Sequence, residues 1–275
     1  MLIKTDSQNY TNIADAIREV TGSTQQYKPE EMEPVLTNYV PEGVISYDEF
    51  DEDGNVLTVT VYGDKVFGLA GSKVLQTVNT PTATVIGDYA FAYSDITSIS
   101  LSSPDNITSI GDRAFYLCSD LENITLSNNI KSIGEYSFCN CNKLSISALP
   151  ESLVDIGVSA FGYCNKISIS ELPKGVTIIP NGTFTMCKSI SELTFHENIA
   201  EIGWWAFYGC DGLTKVTFKG TPKLLGMQNI LISDYNVFAS CPNLTTINVP
   251  WSEGEVDGAP WGATNATINY NYTVE

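Results

Sequence analysis

Apolar residues along this chain recur with a period near 23, far longer than the period of a helix or a strand. Phe91, Phe115, Phe138, Phe161, Phe184 and Phe207 are separated by 24, 23, 23, 23 and 23 residues, and Phe238 follows after 31. Five residues before the first six stand Ile86, Ile110, Ile133, Ile156, Ile179 and Ile202. Gly follows each of these except Ile179, where the next residue is Pro180. Three residues after Phe come Cys118, Cys141, Cys164, Cys187, Cys210 and Cys241, with Ser94 in the first copy. Six residues after Phe come Leu121, Leu144, Ile167, Ile190, Leu213 and Leu244. Each copy then runs into a short alternating segment, read as L-x-x-I-x-L in Leu121-Glu-Asn-Ile-Thr-Leu126 and kept in kind at residues 213–218 and 244–249. One copy of about 23 residues cannot bury its apolar side alone, so the pattern predicts stacked copies sharing one core. At about 4.8 Å per parallel strand, the seven copies span roughly 30 Å. Copies three and four put Ser147 and Ser170 where the branched residue belongs. The segment is either bulged there or buries small hydroxyls against backbone.

The ends follow other rhythms. Ile13, Ile17 and Val20 are helically spaced, Thr11 or Asn12 can cap that helix, and Gly22 follows it. A second short helix begins at Pro29, with acids in its first turn. Residues 44–62 read as a β-hairpin turning at Asp53-Gly54. A degenerate copy is expected around residues 67–78. Beyond Val249 the repeat stops, and Trp251 and Trp261 are large enough to cover the open end of the core. The organisation expected is therefore an α+β repeat protein: a helical attachment segment at 1–40, a β-hairpin and degenerate first repeat at 41–79, the repeats at 80–250, and a carboxyl-terminal cap at 251–275.

The consensus I-G-x-x-A-F-x-x-C-x-x-L, as in residues 110–121, closely resembles the BspA-type leucine-rich repeat. The resemblance covers roughly residues 80–250 with five columns in register. It implies a curved solenoid used in adhesion and recognition rather than catalysis, in a family with bacterial surface proteins and phage-encoded members. Two shorter resemblances point to the phage-encoded branch. Residues 14–22 followed by Pro29 to Met32 resemble a module of tail-associated proteins in phages of Gram-positive bacteria, implying attachment to a virion or oligomer. The pattern V-P-W, then A-P-W-G-A-T-N-A, over residues 249–266 resembles the end of phage-encoded leucine-rich-repeat proteins.

Composition narrows the chemistry. The 275 residues are 43% apolar and 17% charged, which is globular, and Lys+Arg 14 against Asp+Glu 32 leaves a net charge of −18. That charge repels polyanions, so binding to nucleic acid or to an anionic membrane through a basic face is not expected. The start is polar after three residues, without the apolar run of a Sec signal, and no window approaches the length of a membrane span. Six of the seven Cys share one repeat column, which gives poor disulfide geometry and suits a ladder of buried thiols packing as small hydrophobes. Cys139 stands off the column and is expected to be the most exposed and the first to react. No C-x-x-C pair marks zinc. The acid cluster from Asp48 to Asp53 has Thr60 where a calcium loop needs its final Glu, so it reads as a solvated turn. No metal or cofactor is expected.

His196 is the single histidine, it follows a strand with no motif around it, and it reads as a surface residue. No nucleophile–base pair, P-loop or G-x-S-x-G stands in a strand–helix context. Two surfaces are candidates for binding. One is the outward side of the strands, with Glu192, Thr194, His196, Lys215 and Thr217. The other is an aromatic rim beside the Phe column, with Tyr116, Tyr136, Tyr163, Trp204, Trp205 and Tyr208, and with Tyr89 and Tyr93 in earlier copies. The expected function is a non-enzymatic recognition protein associated with a phage tail or baseplate. Its expected partners are a host cell-surface glycan or protein and, through residues 1–40, other virion subunits, within a larger assembly. The alternatives are a bacterial cell-surface adhesin of the same repeat class and, of another kind, a hydrolase built on a solenoid.

Overall fold

The computed structural model describes residues 44–50, 56–62, 65–68, 84–99, 104–224 and 236–273. The backbone winds through these residues as a sequence of short strands and turns repeated once per copy, with a strand ladder on either side of a turn face. The first ladder is built of two-residue strands that end on the Ile column, such as Ser109–Ile110, Ser132–Ile133 and Asp155–Ile156, all paired parallel. Ile110 pairs with Ile133 and Ile133 with Ile156, so one column of the sequence becomes one row of the sheet. The second ladder includes Glu192–Phe195, Lys215–Phe218, Thr246–Asn248 and Thr267–Asn269, again parallel and in register.

Between the two ladders each coil turns with the core Phe pointing inward. The rings of Phe91, Phe115, Phe138, Phe161 and Phe184 stack with centroids 5.0 to 5.5 Å apart and planes within 9° of parallel. The stack runs on through Phe207 to Phe238. The Cys column lies alongside. Each thiol donates to the carbonyl of Phe in the preceding coil, from Cys118 to Phe91 at 2.9 Å through Cys164 to Phe138 at 2.9 Å and Cys241 to Phe207 at 3.1 Å. A small side chain with a weak donor satisfies that carbonyl without displacing the ring stack. All seven thiols are free and buried. Cys139 is 5% exposed, the highest of the seven, yet burial still pushes its thiol up to about 11.

The Gly column has a steric cause. A Cβ at Gly134 would lie 2.7 Å from backbone atoms of Gly111 and Asp112 in the coil below. The Gly amide in turn donates to the previous Ile carbonyl, from Gly134 to Ile110 at 2.8 Å and from Gly157 to Ile133 at 2.7 Å. Pro180 has no amide hydrogen to offer Ile156, and the first ladder divides at that point: one sheet ends with Asp155–Ile156 and the next begins with Ile178–Ile179. The second ladder is interrupted in copies three and four for a different reason. Ile146 and Ile169 are buried, while Ser147 and Ser170 are exposed. The inward residue has moved one position toward the amino terminus, giving L-x-I-x-x-L. The serines are therefore solvent-facing and not buried hydroxyls.

At the amino end, Val44–Phe50 pairs antiparallel with Val56–Tyr62, which pairs antiparallel with Lys65–Gly68, and this last strand joins the first ladder parallel to Val85–Ile86. The hairpin read from the sequence thus extends the Ile sheet, with Val66 in register with Ile86. At the carboxyl end Trp251 and Trp261 are buried, 5.3 and 6.0 Å from Phe218 and 6.0 Å from each other.

Four sequence expectations need correction or fall outside the description. Helix is confined, among the described residues, to one 3₁₀ turn at Pro104–Asn106, so an α+β assignment does not describe this part of the chain. Short strands and turns stack directly, and no helix is needed to cover the core. The helical hairpin of residues 1–40 lies outside the described residues. His196 is 4% exposed rather than a surface residue. Its Nε2 lies 3.1 Å from the Pro173 carbonyl and its Nδ1 accepts the Asn198 amide at 3.2 Å. It occupies a corner column with Ser127, Pro150 and Pro173, where Ser127 accepts the Asn129 amide in the same way. Thr217 is 7% exposed and accepts from Asn248, so it is not a solvent-facing position.

Three outcomes follow from this packing. Phe161→Ala removes a ring held between two others and should lower stability by about 3–5 kcal/mol in urea unfolding. Glu151→Ala, at an exposed corner, should change it by less than ~0.5 kcal/mol. Intact mass under non-reducing conditions should show no disulfide, and alkylation of the folded protein should be slow at all seven thiols, becoming faster at Cys139 as pH approaches 11. For His196, burial and then the charge of Lys174 hold the imidazole below its usual 6.5. Above about pH 6.5 both folded and unfolded chains carry it neutral. Below that value the unfolded chain takes up a proton that the folded one refuses, so stability falls as pH drops toward the folded value. The decline in urea midpoint from about pH 7.5 to about pH 5.5 should be smaller in His196→Ser, and an equal decline in both proteins would refute this assignment.

Candidate functional site

The exposed side chains of the turn face follow from its backbone. In the first six coils the residues two before and two after the core Phe adopt left-handed conformations. The first set includes Tyr89, Arg113, Tyr136, Ser159, Gly182 and Trp205, with φ from 50° to 63°, and the second includes Tyr93, Leu117, Asn140, Tyr163 and Met186. Left-handed residues other than glycine cost about 1 kcal/mol or more each. The compensation is a second set of coil-to-coil hydrogen bonds. The amide of Tyr136 reaches Val158 at 2.9 Å, that of Phe138 reaches Ala160 at 2.8 Å, and that of Asn140 reaches Gly162 at 2.8 Å. Alternate amides therefore point along the solenoid axis. The side chains at the left-handed positions are displayed outward, with Tyr163 44% and Trp205 40% exposed.

Two aromatic groups form on this face. Toward the amino end, the Arg113 guanidinium lies between Tyr89 and Tyr136, 5.5 and 5.0 Å from their ring centres, and Tyr116 meets Tyr93 edge-on at 5.5 Å. Toward the carboxyl end, Trp204 and Trp205 stack at 3.8 Å, and Trp205 lies 5.3 Å from Tyr208. All six rim residues named from the sequence are thus on one face, in two groups with Tyr163 between them. Arg113 was not among them. The signal was available, since it stands in the same column as Tyr89 and Tyr136.

The strand-side candidates do not gather into a site of their own. Glu192 is exposed and accepts from Lys215 at 2.7 Å, which raises the lysine and holds both side chains. Thr194 is half-buried. Thr217 is tied to a chain of amides in which Asn269 donates to Asn248 at 2.8 Å and Asn248 donates to Thr217 at 3.2 Å. His196 has both ring nitrogens committed to backbone. Lys143–Asp120, Lys174–Glu197 and Lys188–Asp211 are likewise ion pairs between coils, exposed and individually weak. Among the described residues no three His, Cys, Asp or Glu side chains group as metal ligands, and no helix is long and apolar enough to cross a membrane.

Comparison with known proteins adds the family. The model for the BspA type leucine rich repeat region matches residues 58–168 and 156–256. No curated protein sequence matches the chain. Among solved structures, the chain is similar to a leucine rich cell surface protein from Faecalibacterium prausnitzii at 20% identity and a TM-score of 0.49, covering 77% of this chain and 71% of that one. It is also similar to the leucine rich repeat protein of T. pallidum at 21% identity and a TM-score of 0.44, covering 77% and 85%. The pneumococcal vaccine antigen PcpA follows at 14% identity and a TM-score of 0.33, covering 77% and 81%. The family match takes in the Ile, Gly, Phe, Cys and Leu columns whose packing builds the coils, and on that ground the chain belongs to the BspA-type leucine-rich-repeat family.

Proposed function

We propose that this protein is a non-enzymatic recognition component of a phage tail or baseplate, binding a host cell-surface glycan or protein through its turn face. Its first 40 residues attach it to other virion subunits. The observation that carries the recognition role is the aromatic group in which exposed Trp205 is held between half-buried Trp204 and Tyr208. Large rings held out at backbone positions fixed by coil stacking lose little freedom on binding, which makes them good anchors. The phage assignment rests on the sequence resemblances at both ends. Family membership serves a bacterial cell-surface adhesin as well, and location separates the two. A hydrolase would have to work without the protein's single imidazole, since both nitrogens of His196 are held by backbone.

The full-length protein displayed on beads should adhere to strains that the phage infects, and more strongly than the monomer by avidity. Adhesion should change little with ionic strength, because the rim is mostly uncharged. Trp205→Ala and Tyr208→Ala should each weaken it. Gold-labelled antibody should decorate the tail of intact particles, whereas labelling of uninfected bacterial surfaces would favour the adhesin. Beads that bind no susceptible strain would make the array purely structural.

A further inference from the structure

Between the two aromatic groups the turn face carries a stretch of small, uncharged side chains, a depression by residue size. In the column two before Phe, Tyr136 is followed by Ser159, Gly182 and then Trp205. In the column one after Phe, Tyr116 is followed by Cys139, Gly162, Thr185 and then Tyr208. Coils four and five thus carry small residues in both columns, coil six carries rings in both, and coil three carries the single ring of Tyr136 beside Cys139. The end walls, Tyr136 and Trp205, are three coil steps apart, and each step is 5.4 to 5.5 Å along the Phe stack. Tyr163 stands beside the depression, 44% exposed.

The chemistry within it is narrow. Residues 158–163 and 181–186 contain no Asp, Glu, Lys, Arg or His, in a chain with 46 such charges at Lys, Arg, Asp and Glu taken together (14 and 32). A charged ligand would find nothing to pair with there, and a neutral one loses no ion pairing on entry. The polar groups offered are hydroxyls and an amide. The Thr185 hydroxyl donates to the Trp205 carbonyl at 2.9 Å and keeps lone pairs to accept, and Asn140 lies at the edge. Backbone amides are not on offer. Those of Ser159, Phe161, Tyr163, Gly182, Phe184 and Met186 all donate to the next coil at 2.6 to 3.0 Å. An extended peptide that adds itself as a strand needs free backbone groups, and this face has spent them. A sugar needs none: its C–H faces stack on rings and its hydroxyls exchange hydrogen bonds with Ser, Thr, Asn and Tyr.

We propose that this depression binds a short run of a neutral, linear glycan lying along the solenoid axis, with Tyr136 and Trp205 stacking on sugars at its two ends. The coil step is close to the length of one sugar ring, so successive sugars meet successive coils. This rests on the reading that the turn face is the recognition surface, and it names the ligand class and the binding direction.

The test uses the full-length protein with a panel of neutral hexose oligosaccharides (maltohexaose, cellohexaose, laminarihexaose and mannohexaose), with polygalacturonate and a teichoic acid as anionic probes. Binding is followed by calorimetry and by tryptophan fluorescence. At least one neutral oligosaccharide should bind and change the emission of the stacked Trp204–Trp205 pair, with affinity altered less than about twofold between about 50 and 500 mM NaCl. Trp205→Ala and Tyr136→Ala should each weaken it by about tenfold or more. Ser159→Tyr should fill the depression and abolish binding. The same backbone position carries Tyr in coils one and three, so this variant should fold, as an unchanged urea midpoint would verify. Equal affinity in Ser159→Tyr, binding of the anionic probes alone, or no binding by any neutral probe would each overturn the proposal. If none binds while beads still adhere to cells in a Trp205-dependent way, the ligand class is wrong and the recognition face stands. If adhesion also fails, both readings fall together.

Discussion

The structure depends on one repeated distance, the step of about 5 Å between adjacent coils. Ring stacking along the Phe column and parallel backbone pairing both favour nearly that spacing, so side chains and backbone agree on it. Once the step is set, other columns have little freedom. Glycine is favoured where a Cβ would crowd the coil below, and a small donor beside the Phe carbonyl. Asp88 and Asp112 each accept an amide of the next coil, at 2.8 and 2.7 Å. Pro180, in the glycine column, has no amide hydrogen, and the first ladder divides there while the Phe stack runs on.

The same constraint makes the turn face unusual as a surface. Its backbone turns through a left-handed residue on each side of the core Phe, and alternate amides reach the next coil. Large residues such as Tyr163 and Trp205 tolerate a conformation that suits glycine better, and they do so where they are exposed. Their presentation is thus set by the coil stack rather than by local packing. That gives a rigid scaffold on which side-chain identity can vary without changing the fold. The strand side behaves differently. Its exposed residues largely pair with one another between coils, as Lys215 does with Glu192 and Asn269 with Asn248, which leaves fewer free groups for a partner.

Much of this was legible in the sequence because a solenoid turns each sequence column into a spatial row. The Ile, Phe, Cys and Leu columns could be read as core, and the thiols as a ladder, from spacing alone. The errors came where a column was judged from one residue. His196 looked like an isolated surface imidazole, but its neighbours at 23-residue intervals, Pro173, Pro150 and Ser127, are buried at the same corner. Thr217 looked solvent-facing from strand alternation, but it is buried and bonded to Asn248. In copies three and four the alternation itself had shifted, and Ile146 and Ile169 took the inward place that spacing assigned to Ser147 and Ser170.

The sequence by itself determined the period, the contents of the core and the number of coils, because burial of regularly spaced apolar side chains has one economical solution when copies repeat every 23 residues. Which outward side chains come together was decided only by the tertiary structure. Period alone does not say that Arg113 rests between two tyrosines, that Trp204 and Trp205 stack beside Tyr208, or that the candidates of the strand side lie on another face. Those facts depend on the left-handed turn positions and on the hydrogen bonds that hold them, which are properties of stacked coils and not of any one copy.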